Sequence, residues 1–357
     1  FSLQLPKQLE TIKGIFPAYG QDFAPFFDKY PNLRNFSMKG YQEVSSFTVA
    51  SLPRHLTHLE ISGAILNISL QTINALPPGL LRFEIQTYTA TPVVFTSNMV
   101  SALPPTLTEL KGRSIDLESP VVLPPAMKYL TVRHFSTYKD VVNLPTTITH
   151  LEMATTTTAI TGNTGFGASA KKISFPPHLT YLKLTVRPSA ATYFEEAFPN
   201  SLTDLAIEGS CADGEWMDWI RKIKNPRVLR ALSLSNTVEG NKKAIPGVQI
   251  LLYLKEFEAR QKKATASSCT LSDYDLFLKK IKFEPIHPRD ISALIPLLPR
   301  QLEDFSTLEA KAPGNEGDYD GLSSQEFQQA IYSSPDLPSS LSHLSPLPPL
   351  RLLSTAA

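Results

Sequence analysis

A ten-residue phrase recurs along this chain, and its recurrence limits the fold more tightly than any bulk property. LPRHLTHLEI occupies 52–61, LPPGLLRFEI 76–85, LPPTLTELKG 103–112, LPPAMKYLTV 123–132 and LPTTITHLEM 144–153, with FPPHLTYLKL at 175–184 and FPNSLTDLAI at 198–207. Successive starts lie 24, 27, 20, 21, 31 and 23 residues apart. Weaker copies begin at Leu5, Tyr30, Asn225, Leu298 and Leu337, which brings the array to as many as twelve units.

Each part of the phrase has a mechanical reading. Proline fixes φ and forbids a helix entering the strand, so an extended approach segment is expected at Pro77-Pro78 and Pro104-Pro105. The alternation that follows marks a short half-buried strand: Leu56, Leu59 and Ile61 face one way, His58 and Glu60 the other. Threonine recurs at 57, 108, 149, 180 and 203, where a β-branched residue suits extended backbone. Such a strand cannot bury its apolar side alone. Stacking it on the next copy completes a shared core and yields a parallel sheet. Leu70, Ile73 and Leu76, spaced by three, predict a helical turn on the reverse side, as do Val100 and Leu103. Toward the C-terminus longer helices are expected over 215–223, 248–263, 272–281 and 323–331.

The phrase resembles the leucine-rich repeat, whose core L-x-x-L-x-L is present as Leu56-Thr57-His58-Leu59-Glu60-Ile61. Its proline-containing opening is similar to that of bacterial effector repeats, and Phe198-Pro199-Asn200-Ser201-Leu202-Thr203-Asp204-Leu205 resembles the FNIP-type repeats of amoebae. The resemblance implies an α/β leucine-rich-repeat solenoid. It has a parallel concave sheet, irregular loops or short helices on the convex side, and more helix toward the C-terminus. The asparagine that ladders through the turn in that family is absent here, and the uneven spacing predicts protruding loops. The expected organisation is a repeat array over 1–236, degenerate helical repeats or a helical insertion over 237–297, and terminal repeats with a partly disordered tail over 298–357.

Composition removes several function classes. Lys and Arg total 34 against 33 for Asp and Glu, so no long-range field draws the chain to nucleic acid or anionic lipid, and neither partner is expected. No apolar run reaches the length of about 18 residues that a membrane helix needs. Cys211 and Cys269 are the two cysteines, which rules out a disulfide-dense scaffold and favours a cytosolic setting. The start at Phe1, with no charged-then-apolar leader, is expected of a trimmed or processed chain.

Outward strand positions form two columns that face any partner. The first runs Asn35, His58, Arg82, Glu109, Tyr129, His150, Tyr181, Asp204 and Ala231; the second runs Ser37, Glu60, Glu84, Lys111, Thr131, Glu152, Lys183, Ala206 and Ser233. His58, Tyr129, His150 and Tyr181 are amphipathic, a type enriched at interfaces. His58, Glu60, Glu84, His150 and Glu152 are metal-ligand types, but the two His-x-Glu pairs fall about 19 Å apart at roughly 4.8 Å per strand. One ion needs its ligands within about 2.3 Å, so no metal and no other cofactor is expected. Cys211-Ala212-Asp213 matches the C-x-D motif of ubiquitin ligases found in some bacterial effectors with similar repeats, yet no histidine partner is identifiable, and a buried packing role is expected. The glycine-rich 161–167 lacks a phosphate-loop pattern and is read as a surface loop. Trp216 and Trp219 are expected to close the core.

No catalytic set converges. The leading expectation is therefore a non-enzymatic scaffold that binds a protein partner through the concave sheet. Two alternatives stand beside it: the substrate-recognition part of a larger enzyme or ubiquitin-ligase adaptor whose catalytic region lies outside this chain, and a structural self-assembling repeat protein.

Overall fold

The computed structural model describes residues 6–15, 24–40, 49–63, 68–87, 93–117, 122–135, 144–154, 175–186, 198–209, 215–225, 228–235, 245, 247–263, 278–286, 293–294, 297–299, 302–309 and 343–346. Two compact units divide the chain: Phe1–Leu179 with Tyr193–Glu195, and Thr180–Thr192 with Glu196–Ala357.

In the first unit the strands are β1 (Thr11–Ile15), β2 (Asn35–Gly40), β3 (His58–Gly63), β4 (Arg82–Thr87), β5 (Val93–Phe95), β6 (Glu109–Leu117), β7 (Tyr129–Phe135) and β8 (His150–Ala154). Every pairing is parallel, and β5 adds to the far end of β6. The register aligns equivalent positions of successive repeats: Leu59, Phe83, Leu110, Leu130 and Leu151 form one row. None of the five is more than 1% exposed. That row is the core, and each leucine is shielded by its neighbours above and below rather than by anything in its own repeat. Short helices α1 (Ala24–Phe27), α2 (Leu70–Asn74) and α3 (Ser97–Ser101) lie in the connections. Ser69 caps α2, its Oγ accepting from Thr72 N while Thr72 Oγ1 accepts from Ser69 N. Ile73 and Leu76 turn inward as predicted, whereas Leu70 stands 39% exposed at the first helical position.

In the second unit β9 (Tyr181–Val186), β10 (Asp204–Gly209), β11 (Ala231–Ser235), β12 (Lys280–Ile286), β13 (Asp304–Glu309) and β14 (His343–Pro346) again pair in parallel, in chain order. Leu182, Leu205, Leu232 and Ile281 repeat the buried row. A second row of Leu184, Ile207, Leu234 and Phe283 is wholly inaccessible, each at 0%. Helices α4 (Glu215–Ile220) and α5 (Gly247–Lys263) fall where helices were expected. Trp219 of α4 stacks on Phe198 at 6.2 Å, and Trp216 is buried beside it in sequence. Each unit is thus a leucine-rich-repeat solenoid, an α/β stack with a parallel sheet.

Three local findings differ from the sequence reading. The proline of the phrase opens a β-turn rather than an extended approach. The carbonyls of Pro53, Pro77, Pro104, Pro124 and Pro145 accept from the N–H three residues on, at Leu56, Leu80, Leu107, Met127 and Ile148. Where a second proline follows, it occupies the turn position that a fixed φ favours. The recurrent threonine also has a second role. Oγ1 of Thr57, Thr108 and Thr149 donates to the carbonyls of Arg34, Leu81 and Lys128 in the preceding repeat, and Thr203 does the same to Thr180. Thr106 and Thr147 make matching bonds one turn earlier. Threonine supplies the inter-repeat bonds for which no asparagine ladder is present. Finally, Lys280 and Ile281 belong to β12 and not to a helix over 272–281. Leu278 takes the buried place that Leu56 holds, without any leading proline. The helix expected over 323–331 lies outside the described residues, as do Cys211-Ala212-Asp213 and the loop 161–167.

Candidate functional site

On the open face of the first unit the register turns the expected columns into real neighbours. His58, Arg82, Glu109, Tyr129 and His150 succeed one another in one line, and Glu60, Glu84, Lys111, Thr131 and Glu152 in the next. A strand period of two sends both lines to the face opposite the leucine row.

The middle of this face is an ion network. Arg82 Nη2 donates to Glu84 Oε2 at 2.7 Å, its Nε lies 3.6 Å from Glu109 Oε1, and Lys111 Nζ reaches the same oxygen at 3.4 Å. Gln86 Nε2 donates to the other oxygen of Glu84 at 2.7 Å. Burial pushes the Glu84 carboxyl up, but the bonds from Arg82 and Gln86 and the charges of Arg82 and Lys111 outweigh it and hold the group below its ordinary value. His58 is held below its ordinary value too, by burial first and by the Arg82 charge second, against a smaller opposing effect of Glu109. Thr57 uses its hydroxyl proton on the Arg34 carbonyl, so its oxygen accepts from His58 Nδ1 at 2.8 Å. That bond puts the proton of the neutral ring on Nδ1 and makes Nε2 the acceptor.

Beyond the network the face becomes aromatic. Tyr129 is 41% exposed and meets His150 with ring centroids 4.4 Å apart and planes tilted by 37°. Thr149 holds His150 as Thr57 holds His58, Oγ1 to Nδ1 at 2.9 Å. In the adjacent line of the same face, Thr131 is buried and Glu152 half-buried.

At the other end, Thr11, Lys13, Asn35, Ser37, His58, Glu60, Arg82 and Glu84 surround a depression of ≈ 290 Å³. The dip lies where Thr11, Asn35 and Ser37 are short beside the longer Lys13, His58, Glu60, Arg82 and Glu84. Thr11 and Lys13 were absent from the expected columns, although the weak copy at Leu5 placed them in phase with His58 and Glu60. Across this face, among the described residues, no group of three or more His, Cys, Asp or Glu side chains gathers as a metal site.

The open face of the second unit begins with Tyr181, Asp204 and Ala231 in one line and Lys183, Ala206 and Ser233 in the other. Lys183 Nζ donates to Glu208 Oε1 at 2.6 Å, and the one hydroxyl proton of Thr203 is shared between the Thr180 carbonyl at 3.0 Å and Asp204 Oδ2 at 2.6 Å. The columns continue through Lys280 and Lys282 of β12, residues that sequence reasoning had given to a helix or left unplaced. Their signal was the Leu278-x-x-Ile281-x-Phe283 spacing, legible only without demanding a proline.

No family model matches the sequence, and no curated protein matches it. Among solved structures the chain is similar to the circular leucine-rich-repeat protein CroV588, with 17% identity and a TM-score of 0.39 over 79% of this chain and 38% of that one. The chain therefore spans well under half the length of that protein. It is similar also to the leucine-rich-repeat-containing protein LegL7 from Legionella pneumophila, with 18% identity and a TM-score of 0.36 over 80% of this chain and 97% of that one. Among the described residues no helix is long and apolar enough to cross a membrane.

Proposed function

We propose that this repeat scaffold is a non-enzymatic binding protein whose open sheet face docks a protein partner. The observation that carries the reading is the exposed Tyr129–His150 pair set against the Arg82–Glu84–Glu109–Lys111 network. An aromatic anchor beside prearranged charge is the arrangement that concentrates binding energy in protein interfaces. Both charged and aromatic groups are already held by neighbours, so little side-chain freedom is lost on docking. In this reading His58, Glu60, Thr131 and Glu152 extend the surface in the first unit, and Tyr181, Lys183 and Asp204 contribute in the second. The same reading keeps 1–236 as the repeat array, 237–297 as degenerate helical repeats or a helical insertion, and 298–357 as terminal repeats with a partly disordered tail.

The test is capture of a stoichiometric partner by the full chain and by the Tyr129→Ala/His150→Ala double variant, with the unfolding midpoint of each measured in parallel. The expected result is a partner lost from the double variant while the midpoint stays put. Undiminished capture by the variant removes this face from consideration.

A further inference from the structure

The depression at the β1–β3 end holds an unusual combination. Ser37 is buried at 4% exposure, lines the dip, and its Oγ finds no hydrogen-bond partner among the described residues. A buried hydroxyl without a partner is a cost to the free protein. Lys13, Ser37 and Glu60 are in register on three adjacent strands. A cation and a carboxylate therefore flank the hydroxyl at strand spacings of about 4.8 Å. Neither Lys13 nor Glu60 lies within ion-pair distance of an opposite charge among the described residues; Glu60 acts on Arg82 only at longer range, while Arg82 pairs directly with Glu84 and Glu109. Glu60 receives one bond, from Ser62 Oγ at 3.3 Å, and Asn35, also in the lining, donates its amide to Thr11 Oγ1 at 3.0 Å.

From this geometry we infer that the depression takes the primary carboxamide of a glutamine or asparagine side chain projecting from the protein partner. A carboxylate in the dip faces Glu60 and an ammonium faces Lys13, so each charged group meets repulsion on one side. A carboxamide turns its oxygen to Lys13 and, once docking parts the side chains that seal it, to the Ser37 hydroxyl, and its NH₂ to Glu60. It is neutral, so withdrawing it from water costs far less than withdrawing an ion. The volume of ≈ 290 Å³ admits such a side chain with room left for bridging water. The inference rests on the reading that this face docks a protein, and adds the chemistry of one anchor.

The test titrates N-acetyl-L-glutamine N-methylamide into the isotope-labelled full chain and follows the backbone amides of β1–β3 by NMR. The glutamate, lysine and norvaline analogues and free L-glutamine serve as comparisons. The expected result is a saturable shift with the glutamine probe and weaker binding of the other three capped probes by about fivefold or more. Ser37→Ala weakens the glutamine probe by about fivefold yet raises Tm, because the orphan hydroxyl is gone. Glu60→Gln moves the preference toward the glutamate probe, a change that a merely structural role would not produce. No saturable shift up to about 50 mM overturns the inference, as does equal binding of the charged probes or an unchanged affinity in Ser37→Ala. Free L-glutamine binding tighter than the capped probe overturns the assignment to a partner's side chain. A partner lost on Tyr129→Ala/His150→Ala but indifferent to Ser37→Ala leaves the docking face standing and removes only this anchor.

Discussion

Each unit builds a parallel sheet of its own, and the turns that deliver the strands are more uniform in the first than in the second. In the first, a proline-led turn precedes β3, β4, β6, β7 and β8, and paired threonines tie several of these turns to their neighbours. In the second, the same turn opens at Pro199 before β10 and at Pro299 before β13, but β12 follows a helix of 17 residues and enters the sheet with Lys279 where the threonine stood. Both nevertheless keep an unbroken buried row. The leucine ladder is the common requirement, and the turn chemistry is one of several ways to deliver a strand to it. The faces differ as well: long charged and aromatic side chains cover β4 to β8, while Ala206, Ala231 and Ser233 leave part of the second face shallow.

The comparison breaks most visibly in the cores. Phe83→Ala in the first unit and Phe283→Ala in the second each remove a ring that is 0% exposed. Each is expected to cost about 3–5 kcal/mol in urea unfolding. A loss at Phe283 below about 1 kcal/mol would show that the second row is not packed like the first. Two glycines sharpen the contrast next. Gly209 ends β10 at φ 132°, and a Cβ there would collide with the Val186 carbonyl, whereas nothing lies within 4 Å of a Cβ at Gly79 in a first-unit turn. Gly209→Ala should therefore cost about 1–3 kcal/mol, and Gly79→Ala should stay within about 0.5 kcal/mol of wild type. Thr108→Val, which deletes one inter-repeat bond, should cost about 0.5–1.5 kcal/mol. No change would mean that the turns alone hold the first unit's repeats together.

Acid provides the smallest effect and the most local one. The folded values of His58 and Glu84 both lie below their ordinary 6.5 and 4.5. Between the two values of each group the unfolded chain binds more protons, so stability rises with pH there. The contribution is complete above the ordinary value and is lost as pH falls through the folded one. Urea midpoints for wild type and Glu84→Gln should therefore converge as pH falls below 4.5. A constant gap down to pH values near 3 would show that the Arg82–Glu84 bond does not carry this contribution.

Much of the fold was legible because a period of two and a repeated leucine leave one solution for burying the apolar side. Register followed as well, since a slip of one residue would bring Leu59 to the open face and Glu60 into the core. What stayed hidden was hidden for stated reasons. β12 lacks proline, and Leu276 to Ile281 carries apolar residues at spacings that fit a helix equally well. The proline turn was hidden because proline suits extended and turn backbone alike. The threonine bonds connect residues more than twenty apart, where local propensity carries no information.

Sequence alone determined that the leucines of successive copies must lie side by side, because no single strand can shield its own apolar face. It also determined which residues share the opposite face. Tertiary structure decided what those outward residues become: that Arg82 is shared by Glu84 and Glu109, that Tyr129 leans on His150, and that Ser37 sits beneath longer neighbours without a partner. Those outcomes depend on side-chain length across adjacent strands, a property of neighbours in space that the order of residues along the chain does not contain.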